Sequence, residues 1–546
     1  MSVDGERRTL IAGGTIVDGT GRPGFAGDVV VEGDRVKDVI AAPMALGDDQ
    51  RQSFDRVVDA TGCLVTPGFI DAHTHSDAYL VIEPDAPSKI TQGITTEVNG
   101  QCGGSVAPRD GEARLSSDWA TVLGERLTWH SLAEYRAVLE TAKPAVNTVQ
   151  FVGHNTLRSS VVGYAGRAAD EDELRRMVAR LDVALDQGAW GLTTGLIYQP
   201  GKYATSEEVV RLAKAAAAKG GLYATHMRSE GDRILEAIDD VIDLVKATGI
   251  RAEISHLKTS GRRNWHKIDA VLAKIESAVE AGLLLGSDRY PYCAAGTDLD
   301  IVLPDWAQEG AAPAETERLN DPSLRARIIA EINASERDWD DVMIGGTWSE
   351  ATKGYSGRRV AEIVESAALR RNQQPLTAAG TPGELVCAIL LADGCKTGAF
   401  FFGMSEENLA KIYARPWIVP GSDASLRAPW GPLGRDHPHP RAYATMPEFY
   451  RRVRALGFSR EETVARMTSV PARRFGLAGR GVLARGAFAD LVVWREDAFR
   501  AKATYLAPHQ FTEGVACVMV NGSIPYRDGV FTGERGGRFL ERGGRA

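Results

Sequence analysis

Two histidines one residue apart, His73 and His75, follow the apolar run from Leu64 to Ile70. On an extended chain alternate side chains share a face, so both imidazoles can point at one object. Imidazole is the commonest protein ligand for metals, and two on one face make half of a metal site. Other metal-ligating side chains recur where later apolar runs end. Cys102 follows Thr95 to Asn99, His154 closes Val149 to His154, and His226 closes Leu222 to His226. His256 closes Arg251 to His256, and Asp423 closes Trp417 to Asp423. Singly, each fits a bland role: a hydrogen-bonded core histidine, a small buried cysteine, a turn aspartate. Together they supply neutral imidazoles, a thiolate and a carboxylate, all good ligands for a zinc-like ion. Gly103 and Gly104 let the chain turn tightly behind Cys102 and bring its sulfur inward. Such a metal brings the pKa of a bound water to roughly 7 and polarises a carbonyl or phosphoryl oxygen. A carboxylate among those ligands, such as Asp423, can take up that water's proton.

The elements that carry these residues alternate. Strand-like runs at 64–75, 95–99, 149–154, 190–195, 222–226, 251–256, 283–288 and 417–423 are mostly separated by helix-like stretches, among them 170–185, 206–218, 233–247 and 265–281. Eight strands in this rhythm predict an α/β fold, a (β/α)8 TIM barrel with its site at the strand C-terminal ends; a doubly wound open sheet has the same periodicity. Residues 8–60 read as short strands of a small antiparallel sheet, and the texture returns near Gly481 to Asn521. Neither end has strands enough to bury a core alone, so both termini are expected to build one small β-sandwich domain. The expected division is 1–60 and 475–546 for that domain, 61–290 and 346–474 for the barrel, and 291–345 for an inserted cap beside its mouth.

A net charge of −8 and the absence of a basic stripe argue against a nucleic-acid partner. No run approaches the roughly 18 apolar residues of a membrane span, and residues 1–8 are polar, unlike a secretory signal. Six scattered cysteines without a Cys-x-x-Cys pair read as reduced thiols, so a cytoplasmic protein is expected. Arg535 to Arg545 reads as a loose basic tail, and nothing in the sequence signals an oligomeric state.

The chain resembles the amidohydrolase superfamily and, within it, the D-aminoacylase (N-acyl-D-amino-acid deacylase) family. The resemblance rests on Gly68 to His75, Gly93 to Thr96 with Gly100 to Gly103, Gly153 to Arg158, Gly195 to Gly201 and Thr225 to Glu230. Ser255 to Lys258, Asp288 to Tyr292, Gly421 to Asp423, His439 to Arg441 and Gly486 to Asp490 carry it further. It implies zinc-dependent hydrolysis of N-acyl-D-amino acids or a related amide, with a small-molecule substrate as partner and neither nucleic acid nor membrane. It implies one tight zinc on Cys102, His226 and His256, and a second, weaker position on His73, His75, Cys102 and Asp423. Asp423 would be the catalytic base and acid. Lys258 and Tyr290 would hold the substrate carboxylate, with Tyr198 and Arg158 near the pocket and His154 behind a ligand.

Relatives that bridge two metals with a carboxylated lysine carry it on strand four, which here holds no lysine; Lys202 falls beyond it, on a loop. That counts against a cyclic-amide hydrolase of the hydantoinase or dihydropyrimidinase type, the alternative enzyme. A non-catalytic scaffold on the same fold should lose its ligands, and these are kept. Two departures bear on specificity. Cys293 to Gly296 replaces the usual small hydroxyl residues, and the tract Leu426 to Arg435 is expected to bring Arg427 and Trp430 to the mouth.

Overall fold

The computed structural model describes residues 7–42, 53–111, 113, 119, 122–369 and 379–542. Its centre is a closed ring of eight parallel strands: Phe69–Asp71, Ile94–Asn99, Asn147–Gln150 continued by Val152–Gly153, Gly191–Gly195, Leu222–His226, Arg251–Ile254, Leu285–Arg289 and Ile418–Pro420. The ring closes through Ala72 N–H donating to the Pro420 carbonyl at 3.1 Å and Asp423 N–H to the His73 carbonyl at 2.8 Å. The open-sheet alternative is thereby excluded. The strands are buried on both faces, which is why they read as short apolar runs without alternation. Around them pack amphipathic helices, including Glu171–Asp186, Ser206–Ala218, Ile234–Thr248 and Ile268–Glu280. The first is started by a reciprocal cap between Asp170 and Glu173. Among the described residues no helix is long and apolar enough to cross a membrane.

The run from Leu64 to His75 is not one strand. Leu64–Pro67 belongs to a nine-stranded sheet, and only Phe69–Asp71 joins the barrel. Gly68 makes the junction: a Cβ there would lie 2.1 Å from Thr95 Oγ1 on the neighbouring strand. The sheet unites both ends of the chain, Leu491–Trp494 pairing antiparallel with Leu64–Pro67. It is mixed rather than antiparallel, because Arg8–Ile16 pairs in parallel with Arg56–Asp59 along its first half and with Leu64–Pro67 along its second. Ile11, Val29 and Val65 from the N-terminal strands share one cluster with Leu491, Cys517 and Ile524 from the C-terminal ones.

The body at the barrel mouth extends past the expected 345. Gly398–Phe401 is the central strand of a three-stranded antiparallel sheet, flanked by Ala295–Asp298 and Val342–Ile344. Helices Ala311–Asn320, Pro322–Asn333 and Pro382–Asp393 cover it with a separate core that includes Leu299, Ile328, Leu385 and Ala399. The basic segment after Arg535 is not loose up to residue 542: Phe539 is buried, and Leu540 N–H donates to the Thr148 carbonyl at 2.8 Å. Arg545 lies outside the described residues.

Within the cap, burial and the neighbouring Glu315 carboxylate push Asp300 up to about 8, and burial pushes Glu315 up to about 7. Both folded values lie above the unfolded ones, so the folded cap holds extra protons between about pH 4 and 8 and its stability falls as pH rises through that window. Thermal unfolding followed from pH 5.5 to 8.5 should therefore show a falling Tm, and Glu315→Gln should flatten the slope. An unchanged slope in the variant contradicts the raised Glu315 carboxyl.

Candidate metal centre and active-site cleft

Each candidate ligand lies at or just beyond the C-terminal end of a barrel strand. His226 closes the fifth; His73, His256 and Asp423 follow the first, sixth and eighth by two or three residues. Cys102 follows the second across Gly100, at φ +79°, and precedes Gly103, at φ +80°, where a Cβ would lie 2.3 Å from Asn155 Oδ1. Three ligands occupy the left-handed region themselves: Cys102 at φ +52°, His256 at +39° and Asp423 at +49°. Such backbone costs about 1–3 kcal/mol each and persists only where its surroundings over-determine it. It turns three side chains inward that a continuing strand would send to alternate faces.

The donor atoms form two overlapping groups: His73, His75, Cys102 and Asp423 in one, Cys102, His226 and His256 in the other. Cys102 Sγ is 3.3 Å from Nε2 of both His73 and His256. Atoms bound to one zinc at roughly 2.3 Å for sulfur and 2.0 Å for nitrogen, at near-tetrahedral angles, are separated by about that much. Burial opposes the Cys102 thiolate, but the His73 and His256 imidazoles outweigh it and hold its pKa well below the ordinary thiol range. Asp423 is buried too, yet Arg441 and His256 hold its carboxyl well below the usual range. These anions in turn draw protons onto the imidazoles, overcoming burial to bring His75 up to about 9. A divalent cation held among the same atoms would take the place of those protons. His226 gives the most direct sign of a missing partner, since both its buried ring nitrogens lack a hydrogen bond. The donor set fits zinc.

Behind the ligands stand carboxylates that the sequence reading passed over. Asp288 Oδ2 is 3.2 Å from His73 Nδ1, and its Oδ1 accepts the backbone N–H of His256 at 3.0 Å, so one side chain fixes the ring of one ligand and the main chain of another. Glu230 lies 2.9 Å from His256 Nδ1 and binds Lys258. Asp288 is the penultimate residue of the seventh strand, and the rule that found the other ligands points to it directly.

A cleft of about 480 Å³ opens over the centre, its floor formed by His75, Cys102 and Asp423 and its walls by residues including Tyr198, Thr297, Trp348 and Arg441. Arg441 is buried, is ion-paired through Nη1 with Asp423 Oδ2 at 2.8 Å, and leaves its Nε without a hydrogen bond. Of the expected substrate contacts only Tyr198 lines the cleft. Lys258 is buried against Glu230 and His256, and Tyr290 lies 4.5 Å beneath the Arg441 guanidinium as a platform. His154 and Arg158 face elsewhere. The chain begins the short helix His154–Ser159 at that point, which aims both side chains at Glu208, at 2.8 and 3.1 Å. Arg427 reaches the cleft, but Trp430 packs on Phe511 and Phe531 and donates to Glu83. Strand four carries no lysine, and Lys202 is paired with Asp305 of the cap.

A model of the amidohydrolase family, Amidohydro_3, matches residues 56–526. The chain belongs to the amidohydrolase family. Within it, the chain is 34% identical to the N-acyl-D-glutamate deacylase of Alcaligenes xylosoxydans xylosoxydans over 98% of its own length and 96% of the relative's. It is 33% identical to the D-aminoacylase of the same organism, over 98% and 97%. The solved N-acyl-D-glutamate deacylase of Bordetella bronchiseptica, in complex with zinc and a phosphonate inhibitor, superposes with a TM-score of 0.80 at 32% identity, covering 99% of this chain and 100% of that one. These matches place the family member in its D-aminoacylase branch.

The overlap of the two ligand groups at Cys102 has a measurable consequence. After dialysis, zinc content by plasma mass spectrometry should collapse in Cys102→Ala and survive in His75→Ala. The opposite order contradicts the assignment of the tighter position to Cys102, His226 and His256.

Proposed function

We propose that the protein hydrolyses the amide bond of N-acyl-D-amino acids, in the cytoplasm, with zinc as its cofactor. The observation that carries this reading is the position of Asp423, whose two carboxylate oxygens face different neighbours. Oδ1 lies 3.0 Å from His75 Nε2 and 3.4 Å from His73 Nε2; Oδ2 meets Arg441 at 2.8 Å. Zinc, when bound, supplies an acidified water near neutral pH and polarises the scissile carbonyl. Asp423 takes the proton of the attacking water and delivers it to the amine nitrogen, which leaves only when protonated. Arg441 offers charge-assisted hydrogen bonds to the free carboxylate of the substrate. Tyr198 lines the same cleft, with its buried phenol held protonated by desolvation and the Cys102 charge. Tyr290 supports Arg441 from below, and Lys258 with Glu230 steadies His256. The D configuration follows the relatives, each named for a D-amino-acid substrate. Six free cysteines fit a reducing compartment.

Cyclic-amide hydrolysis is disfavoured by the missing strand-four lysine, and a scaffold role by the retained ligands. A panel of N-acetyl-D- and L-amino acids, hydantoins and dipeptides, assayed for amine release by the zinc-loaded protein, tests the reading. Turnover of the D-acyl substrates is expected. Asp423→Asn should lower kcat by about 10²–10⁴-fold with little change in KM. Ring opening of hydantoins without deacylation, or undiminished turnover in Asp423→Asn, would sink it.

A further inference from the structure

Lys89 lies outside the cleft lining and is fully buried in the short turn Pro87–Ile90. Its ammonium donates to Asp71 Oδ2, Ser422 Oγ and the Ala424 carbonyl, each at 3.0 Å, and stands 3.1 Å from Glu97 Oε1. Ser422 and Ala424 are the chain neighbours of Asp423 on either side. Asp71 Oδ1 accepts the Ser422 N–H at 2.7 Å, and the Asp423 N–H is held by the His73 carbonyl at 2.8 Å. The three residues that carry the left-handed turn at Asp423 are therefore tied to the first strand, two of them through one ammonium.

We propose that Lys89 is a positioning residue, which locks Ser422, Asp423 and Ala424 so that the Asp423 carboxylate stays aimed between the metal ligands and the scissile amide. Stability alone does not account for it. Buried ion pairs contribute little net stability compared with apolar residues of similar volume, because both charges lose their hydration. This one carries two carboxylates on one cation. Glu97 accepts the Ser76 hydroxyl at 2.7 Å through Oε1, while its Oε2 has no hydrogen-bond partner. What the ammonium provides is three donors converging from one point, two of them reaching positions 422 and 424. Left-handed backbone at a non-glycine residue relaxes unless such contacts hold it. A proton-transfer group that drifts by about 1 Å loses on the order of 10²-fold in rate.

The inference rests on Asp423 carrying the proton as read above, and the test separates the two. Lys89→Met removes the tether; Ser422→Ala removes one of its bonds while the buried charges stay paired. Each is compared with wild type for zinc content, melting temperature, kcat and KM on an N-acetyl-D-amino acid. Each is also titrated with a second equivalent of zinc by calorimetry, which reports on the Asp423 position without turnover. Both variants should keep the first zinc, lose kcat by about 10²-fold for Lys89→Met and less for Ser422→Ala, hold KM, and bind the second zinc more weakly. Wild-type kcat and second-zinc affinity in zinc-bearing variants overturn the inference. So does a parallel fall of kcat, first zinc and melting temperature in Ser422→Ala, which marks a merely structural role. Should Lys89→Met not fold, Ser422→Ala decides alone. Absence of deacylation by wild type overturns the functional reading instead, and the zinc titration then still decides for Lys89.

Discussion

One thiolate, Cys102, holds the centre together. Its sulfur belongs to both groups of donor atoms, and in their absence of any strand-four lysine it is the side chain placed to join them. A buried thiolate is costly unless positive charge surrounds it, and here imidazoles from three separate strand ends do so. The glycines around Cys102, its own left-handed backbone and the inward turns at His256 and Asp423 all serve that convergence. The ring of strands brings the ends to one rim, but the departures from strand geometry bring the atoms to one point.

Much of this was legible because a barrel maps chain order onto position. Residues after apolar runs share a rim whatever their distance in sequence, so His73, Cys102, His226, His256 and Asp423 could be gathered without knowing a single contact. The same logic misplaced His154. The chain turns from strand to helix at that residue, and a helical start points the side chain at Glu208 rather than into the ring. Glu230 was missed because a carboxylate behind a ligand leaves no spacing signal of its own, whereas Asp288 sits at a strand end like the ligands it supports. Arg441 lies in a helix that begins well after Asp423, and only the fold returns it to the Asp423 carboxylate.

Boundaries between bodies were less legible than the bodies. Leu64 to Ile70 is largely apolar because both its halves are buried, in two different sheets, and hydrophobicity does not mark the change at Gly68. The cap outran its expected end because its central strand, Gly398–Phe401, comes last in the chain and pairs with strands on both sides. Through that strand and its neighbours the cap contributes Thr297, Trp348 and Phe400 to the cleft wall. Its core is separate from that of the barrel, so one wall of the cleft rests on a different part of the molecule from the metal ligands.

X-ray absorption at the zinc edge of the singly loaded protein tests the shared thiolate most directly. The account predicts one sulfur scatterer at about 2.3 Å among nitrogen or oxygen neighbours. A first shell of nitrogen and oxygen alone in the wild type would contradict it.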